Sequence, residues 1–195
     1  MKQGSNLFYR LIINISKPLI YLLYRPKYYG KECLDFDGSA IIASNHIHMP
    51  DPLFIMTGTA RVVRYLSKKE LNDSLLGFVY NGMKTIRVDR GQNNSATMRE
   101  AEKALRNGDV IGIFPEGTRN RKNPDELLPF KFGAVKMAKE TGSMIIPIAL
   151  KSKGFPFINR YSINIGKPYS IMENADLEAE NNRLKAIIQS LYDEI

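Results

Sequence analysis

From residue 39 onward, apolar runs of strand length alternate with stretches of helical period, and few folds accept that alternation. Strands are expected over 39–43, 62–67, 85–89, 110–114, 144–150 and 161–165. Helices are expected over 52–60, 74–83, 95–106, 131–140 and from residue 177 onward. Gly108 and Gly142 stand where helices 95–106 and 131–140 should stop, as residues that accept left-handed angles. The predicted fold class is α/β, a single domain with a mostly parallel mixed sheet flanked by helices. Sheets of this kind bind ligands beyond the carboxyl ends of their strands. His46 follows the first strand, Lys68 the second and Arg90 the third, while Glu116 and Arg119 follow the fourth. Any one of these is more often a surface charge than a ligand. Together they supply a base, a carboxylate and three cations, a set suited to proton abstraction beside an anionic substrate.

A chain of 195 residues fits one such domain and buries roughly two thirds of its unfolded surface. Hydrophobic residues at 44% and charged residues at 25% exclude general disorder. The single cysteine, Cys33, allows no internal disulfide and suits a reducing compartment. A net charge of +8 calls for an anionic partner. Nucleic acid is not expected, because the chain has neither an aromatic platform nor a helix-turn-helix pattern.

Much of that charge lies in residues 1–29, read as an amphipathic arm ahead of a domain over 30–195. From Met1 to Lys31 there is no acidic residue. Gln3, Asn6, Arg10, Asn14 and Lys17 recur at helical spacing beside Leu7, Phe8, Leu11, Ile12, Ile13 and Ile15. Pro18 is expected to interrupt this helix, with 19–24 a second short apolar run. Neither run reaches the ~18 uncharged residues of a spanning helix. An acid-free basic stripe points to a helix lying in a membrane interface, attracted by anionic lipids.

The stretch Ser44-Asn45-His46-Ile47-His48-Met49-Pro50-Asp51-Pro52 carries both histidines. The prolines bias Met49 and Asp51 away from helical angles, so His46 and Asp51 meet across an irregular turn. Asp51-Pro52 also reads as a helix start, with Asp51 at the N-cap and one oxygen left for an imidazole. A histidine oriented by a carboxylate is what a general base needs. The same spacing, with His48, is open to a metal-dependent hydrolase. A zinc site would want a further ligand, and this chain offers no third histidine. The segment from Gly112 to Thr118 imitates a phosphate loop but lacks its lysine, and no nucleotide site is expected.

Five blocks now stand in order: Asn45-His46-x4-Asp51-Pro52; Ser67-Lys68-Lys69-Glu70-Leu71; Gly82-x3-Ile86-x-Val88-Asp89-Arg90; Phe114-Pro115-Glu116-Gly117-Thr118-Arg119; and Ile146-Pro147-Ile148. From about 30 to 168 the chain resembles the glycerolipid acyltransferases, most of all the bacterial 1-acylglycerol-3-phosphate (lysophosphatidate) acyltransferases. His48 stands where that family often has serine. The Asn-His pair and the four-residue gap assign the base to His46.

The resemblance implies transfer of a fatty acyl group from acyl-CoA or acyl-carrier protein to the sn-2 hydroxyl of lysophosphatidate. His46 would act as base and Asp51 would fix its tautomer. Lys68, or nearby N–H groups, would stabilise the oxyanion. Arg90 and Arg119 would hold the phosphate, in a loop ordered by Glu116, Gly117 and Thr118. No metal, cofactor or covalent acyl-enzyme is implied. Anionic membrane lipids are the expected further partners, and the expected location is peripheral, on the cytoplasmic face of the cell membrane. Another lyso-lipid acceptor is the alternative within the family. A non-catalytic lipid-binding protein is disfavoured by the intact blocks.

Overall fold

The computed structural model describes residues 7–68, 70, 73, 77–88, 95–120, 126–153 and 160–195. Helix α1 (Leu7–Tyr24) is followed by strand β1 (Lys27–Tyr29), a 3-10 turn (Lys31–Leu34), β2 (Ala40–Ser44), α2 (Asp51–Gly58) and β3 (Val63–Lys68). Then come α3 (Gly77–Gly82), β4 (Ile86–Val88), α4 (Ser95–Arg106) and β5 (Val110–Ile113). The last elements are α5 (Gly133–Thr141), β6 (Met144–Lys153), β7 (Arg160–Ile165) and α6 (Leu177–Asp193). The expected strands and helices are found within a few residues of their predicted bounds. The ends of two of them, at 74–76 and at Asp89, lie outside the described residues.

The strands form one seven-stranded sheet in the order β1-β7-β6-β2-β5-β3-β4. Neighbours are parallel except β6 and β7, so β7 and its partner β1 run against the other five. This makes an α/β domain with a mostly parallel mixed sheet. Strand β2 sits in its middle with all five residues buried, as a continuous apolar run demands. Its side chains alternate between faces. Ala40 and Ile42 join a core with α1 and α2, whereas Ile41 and Ala43 join a second core with α4, α5 and α6.

Two expectations for the arm are corrected. Helix α1 runs unbroken from Leu7 to Tyr24 with Pro18 inside it. Proline removes one N–H and crowds the carbonyl four residues back. Here Pro18 and Asn14 are both exposed, so that carbonyl is released away from the core. Secondly, residues 27–29, counted with the arm on sequence grounds, form an edge strand of the sheet.

Helix α1 is itself docked. Tyr9, Ile13 and Ile20 are buried in the first core, and the Tyr9 hydroxyl accepts a hydrogen bond from the Val63 N–H at 3.2 Å. Leu7, Leu11, Ile15, Leu19 and Leu22 are all more than half exposed. At 3.6 residues per turn, that apolar stripe and the docked stripe lie about 160° apart. By length and composition alone the helix could cross a membrane, but its docked face holds it against the domain.

Candidate active site

The site grows from the carboxyl end of β2. Where the strand ends, the Asn45 side chain continues its ladder to β6. Its Nδ2 donates to Leu150 O at 2.8 Å and its Oδ1 accepts from Leu150 N at 2.7 Å. The amide thus replaces a peptide unit, and the main chain is released to turn. His46 comes next, and the loop after β5 holds its backbone at both groups. Its N–H donates to Glu116 Oε1 at 2.9 Å, and its carbonyl accepts from Asn120 N at 2.9 Å.

The His46 ring is fixed from two sides. Nδ1 lies 2.7 Å from Asp51 Oδ2, and the ring stacks on Phe114 at 4.0 Å between centroids and 12° between planes. Phe114 stacks in turn on Tyr65 at 5.3 Å. Gly112 makes room for Tyr65, since a Cβ there would fall 2.4 Å from the ring. Asp51 is fully buried, and an ionised carboxylate only accepts. Nδ1 therefore carries the hydrogen, and Nε2 is left as the basic nitrogen. The His46 side chain keeps 18% of its surface exposed, so the ring is supported but still reachable.

Asp51 does not occupy the helix cap expected of it. Pro50 takes the N-cap position, and Asp51 is the first residue of α2 without a capping bond. Its carboxylate turns back to the preceding loop instead, where Oδ2 accepts from Ile47 N at 2.8 Å and His48 N at 2.9 Å. Those amides belong to an irregular turn and have no ladder to join, so the carboxylate satisfies them. Its other oxygen, Oδ1, accepts from the Tyr161 hydroxyl. Tyr161 was not foreseen. It lies 110 residues away on β7, and no local pattern links it to the motif.

Glu116 is 5% exposed. Besides His46 it accepts from Leu128 N at 3.1 Å through Oε2, so it ties the loop after β5 to residue 128. Burial pushes its carboxyl above the ordinary carboxylate range. The hydrogen bonds from His46 and Leu128, and the attraction of His46, oppose that rise, while the Asp51 charge adds to it. Gly117 has a φ of 67°, and a Cβ there would meet the Lys131 ammonium at 2.8 Å. Lys131 is a second cation beside this loop that the sequence reading missed. Arg119 is partly exposed and Thr118 exposed, one and two residues before Asn120. Lys68 ends β3, at the same end of the sheet. Arg90 lies outside the described residues.

His48 is exposed and contributes its backbone to Asp51, with its ring 6.1 Å from that of Tyr161. His46, His48 and Asp51 do not converge as ligands, and among the described residues no three His, Cys, Asp or Glu side chains do. A metal-dependent hydrolase therefore gains no support from this geometry.

A protein-family model described as Acyltransferase matches residues 25–151. The chain is 37% identical over 140 residues to a protein of Borreliella burgdorferi named 1-acyl-sn-glycerol-3-phosphate acyltransferase, an alignment covering 70% of this chain and 55% of that one. A Bacillus subtilis protein of the same name is 28% identical over 193 residues, covering 96% and 94%. Among solved structures, the 1-acyl-sn-glycerophosphate acyltransferase PlsC of Thermotoga maritima is similar, with a TM-score of 0.78 at 20% identity. That match covers 95% of this chain and 78% of PlsC.

Proposed function

The chain belongs to the acyltransferase family, and from that premise we propose that it moves a fatty acyl group from a thioester to the sn-2 hydroxyl of lysophosphatidate, yielding phosphatidate. The observation that carries the reading is the His46 ring, clamped between Asp51 and Phe114 with Nε2 left as the basic nitrogen. Nε2 takes the hydroxyl proton as that oxygen attacks the thioester carbonyl. The buried Asp51 carboxylate opposes the positive charge that then forms on the ring. The tetrahedral oxyanion is held by Lys68 or by backbone N–H groups of the loops around His46. Its collapse breaks the carbon–sulfur bond, and the departing thiolate regains a proton from the imidazolium. Acceptor and donor meet directly, so no covalent acyl-enzyme is needed.

The phosphate is assigned to Arg119 and Arg90, with Gly117 and Thr118 in the same loop and Glu116 bracing it. A guanidinium pairs with two phosphate oxygens at once. Lys131, beside Gly117, adds a further positive charge to this wall. Helix α1 serves as the membrane contact of a peripheral enzyme on the cytoplasmic face. Its docked stripe faces the domain, its opposite apolar stripe enters the bilayer surface, and Arg10 and Lys17 flank it toward anionic headgroups. The sheet domain behind it carries the chemistry.

The test is an acyl-transfer assay on the full chain. Lysophosphatidate, other lyso-lipids and monoacylglycerol are offered with acyl-CoA and with acyl-carrier protein, to wild type, His46→Ala, His48→Ala and Arg119→Ala. Lysophosphatidate should be the preferred acceptor. His46→Ala should lose about 10²–10⁴-fold, and His48→Ala much less. Arg119→Ala should lose about one to two decades on lysophosphatidate and little on monoacylglycerol. A preference for another acceptor, or an equal Arg119→Ala loss on both, rejects the assignment of substrate.

A further inference from the structure

Asp51 receives hydrogen bonds from two directions, and only one of them comes from its own loop. Oδ2 is taken by His46, Ile47 and His48, all within five residues. Oδ1 takes the hydroxyl of Tyr161, which arrives from the far side of the chain. It can arrive because β7 is antiparallel. Tyr161 pairs with Ser152 near the carboxyl end of β6, so the beginning of β7 lies where the other central strands end.

The ring position does not depend on the bond. Tyr161 is fully buried, stacked on Phe54 at 3.9 Å and 21°, and met edge-on by Tyr24 of α1 at 6.3 Å. Packing therefore delivers the hydroxyl to Oδ1 in a fixed place. Burial, and then the Asp51 charge, push the phenol well above its ordinary range, so it stays a donor throughout the working pH range.

We propose that Tyr161 is a positioning residue of the dyad, whose hydrogen bond to Asp51 draws off part of the carboxylate's charge and so keeps His46 unprotonated and ready as base. A carboxylate without that donor would hold an imidazolium more tightly, and the base would be lost to protonation at higher pH. This rests on His46 being the base. Among the described residues, the other ionisable groups around the pair are Glu116 from the loop after β5, Tyr65 from β3, Tyr24 and Tyr9 from α1, and His48 in the same turn. None of these donates to Oδ1, so removing the Tyr161 hydroxyl alters one contact.

Tyr161→Phe keeps all three rings and deletes the donor. Two quantities are read in the full chain: the midpoint at which the His46 ring gains a proton, by NMR, and the acidic limb of the kcat/KM profile. Both should move up by about one unit, with kcat/KM below the limb falling about tenfold and recovering at high pH. A purely structural role would lower kcat/KM equally at every pH. Incorporating 3,5-difluorotyrosine at position 161, a stronger donor of nearly the same volume, should move both quantities down and covers the case in which the Phe variant does not fold. If neither moves in either protein, the proposal fails while His46 as base stands. If the NMR midpoint moves and the kinetic limb does not, the base assignment falls and takes the proposal with it.

Discussion

Replacing Asp51 with asparagine keeps the outline of the side chain and removes its charge. Were Asp51 a helix cap, the change would cost almost nothing, since asparagine caps as well as aspartate. The structure sets a different cost. Three N–H donors converge on Oδ2, from His46, Ile47 and His48, at 2.7 to 2.9 Å. The asparagine oxygen can keep all three only by taking that place, which turns its NH2 toward the Tyr161 oxygen. A bond to a charged acceptor is worth roughly 1.5–3 kcal/mol against 0.5–1.5 for a neutral one, so three weakened bonds cost about 3 kcal/mol. For a domain of this size that lowers Tm by about 6–12 °C. Activity should suffer separately. The amide oxygen still holds Nδ1–H, but nothing opposes the charge on the ring as the proton transfers, and kcat/KM should fall by about 10²–10⁴-fold. Thermal unfolding and acyl transfer to lysophosphatidate, measured on one preparation, check both figures. A variant within tenfold of wild type refutes the electrostatic role, and an unchanged Tm refutes the structural one.

Glu116 should leave a signature in stability against pH. Its folded carboxyl lies above the ordinary range because it is buried. Its contribution is therefore complete below the unfolded carboxylate value of about 4.3 and is lost as pH rises through the folded one. The Tm of wild type relative to Glu116→Gln should fall across that window, and a difference that stays flat or rises with pH would contradict the burial argument. On α1, Leu11→Glu with Ile15→Glu should cost less than about 1 kcal/mol, since both positions face away from the domain. The same pair should abolish sedimentation with anionic vesicles; undiminished binding would remove this stripe from the membrane contact.

The order of strands and helices was legible because each leaves a local record: period two or four in its apolar residues and a glycine at its stop. His46 and Asp51 were legible as a pair for the same reason, lying five residues apart. What Asp51 does was not. Asp-Pro is a common helix start, and nothing in the sequence says that the amides of residues 47 and 48 would lack partners and draw the carboxylate backward. Tyr161 was beyond reach because its place depends on β7 reversing direction, a tertiary decision. The continuity of α1 through Pro18 depends on which side of the helix the proline falls, which only docking fixes. Strand β1, three residues long, is too short to show a period.

The strand order carries a consequence for the chain as it is synthesised. Strand β1 leaves the ribosome well before its sheet neighbour among the described residues, β7, whose last residue is Ile165. At roughly 5–20 residues per second, between about 7 and 27 s pass before that neighbour exists. Tyr161 emerges with β7 as well, so a nascent chain that already displays His46, Asp51 and Glu116 still lacks the hydroxyl that completes Asp51. The hydrogen-bonded set around Asp51 is thus completed only after β7 has emerged.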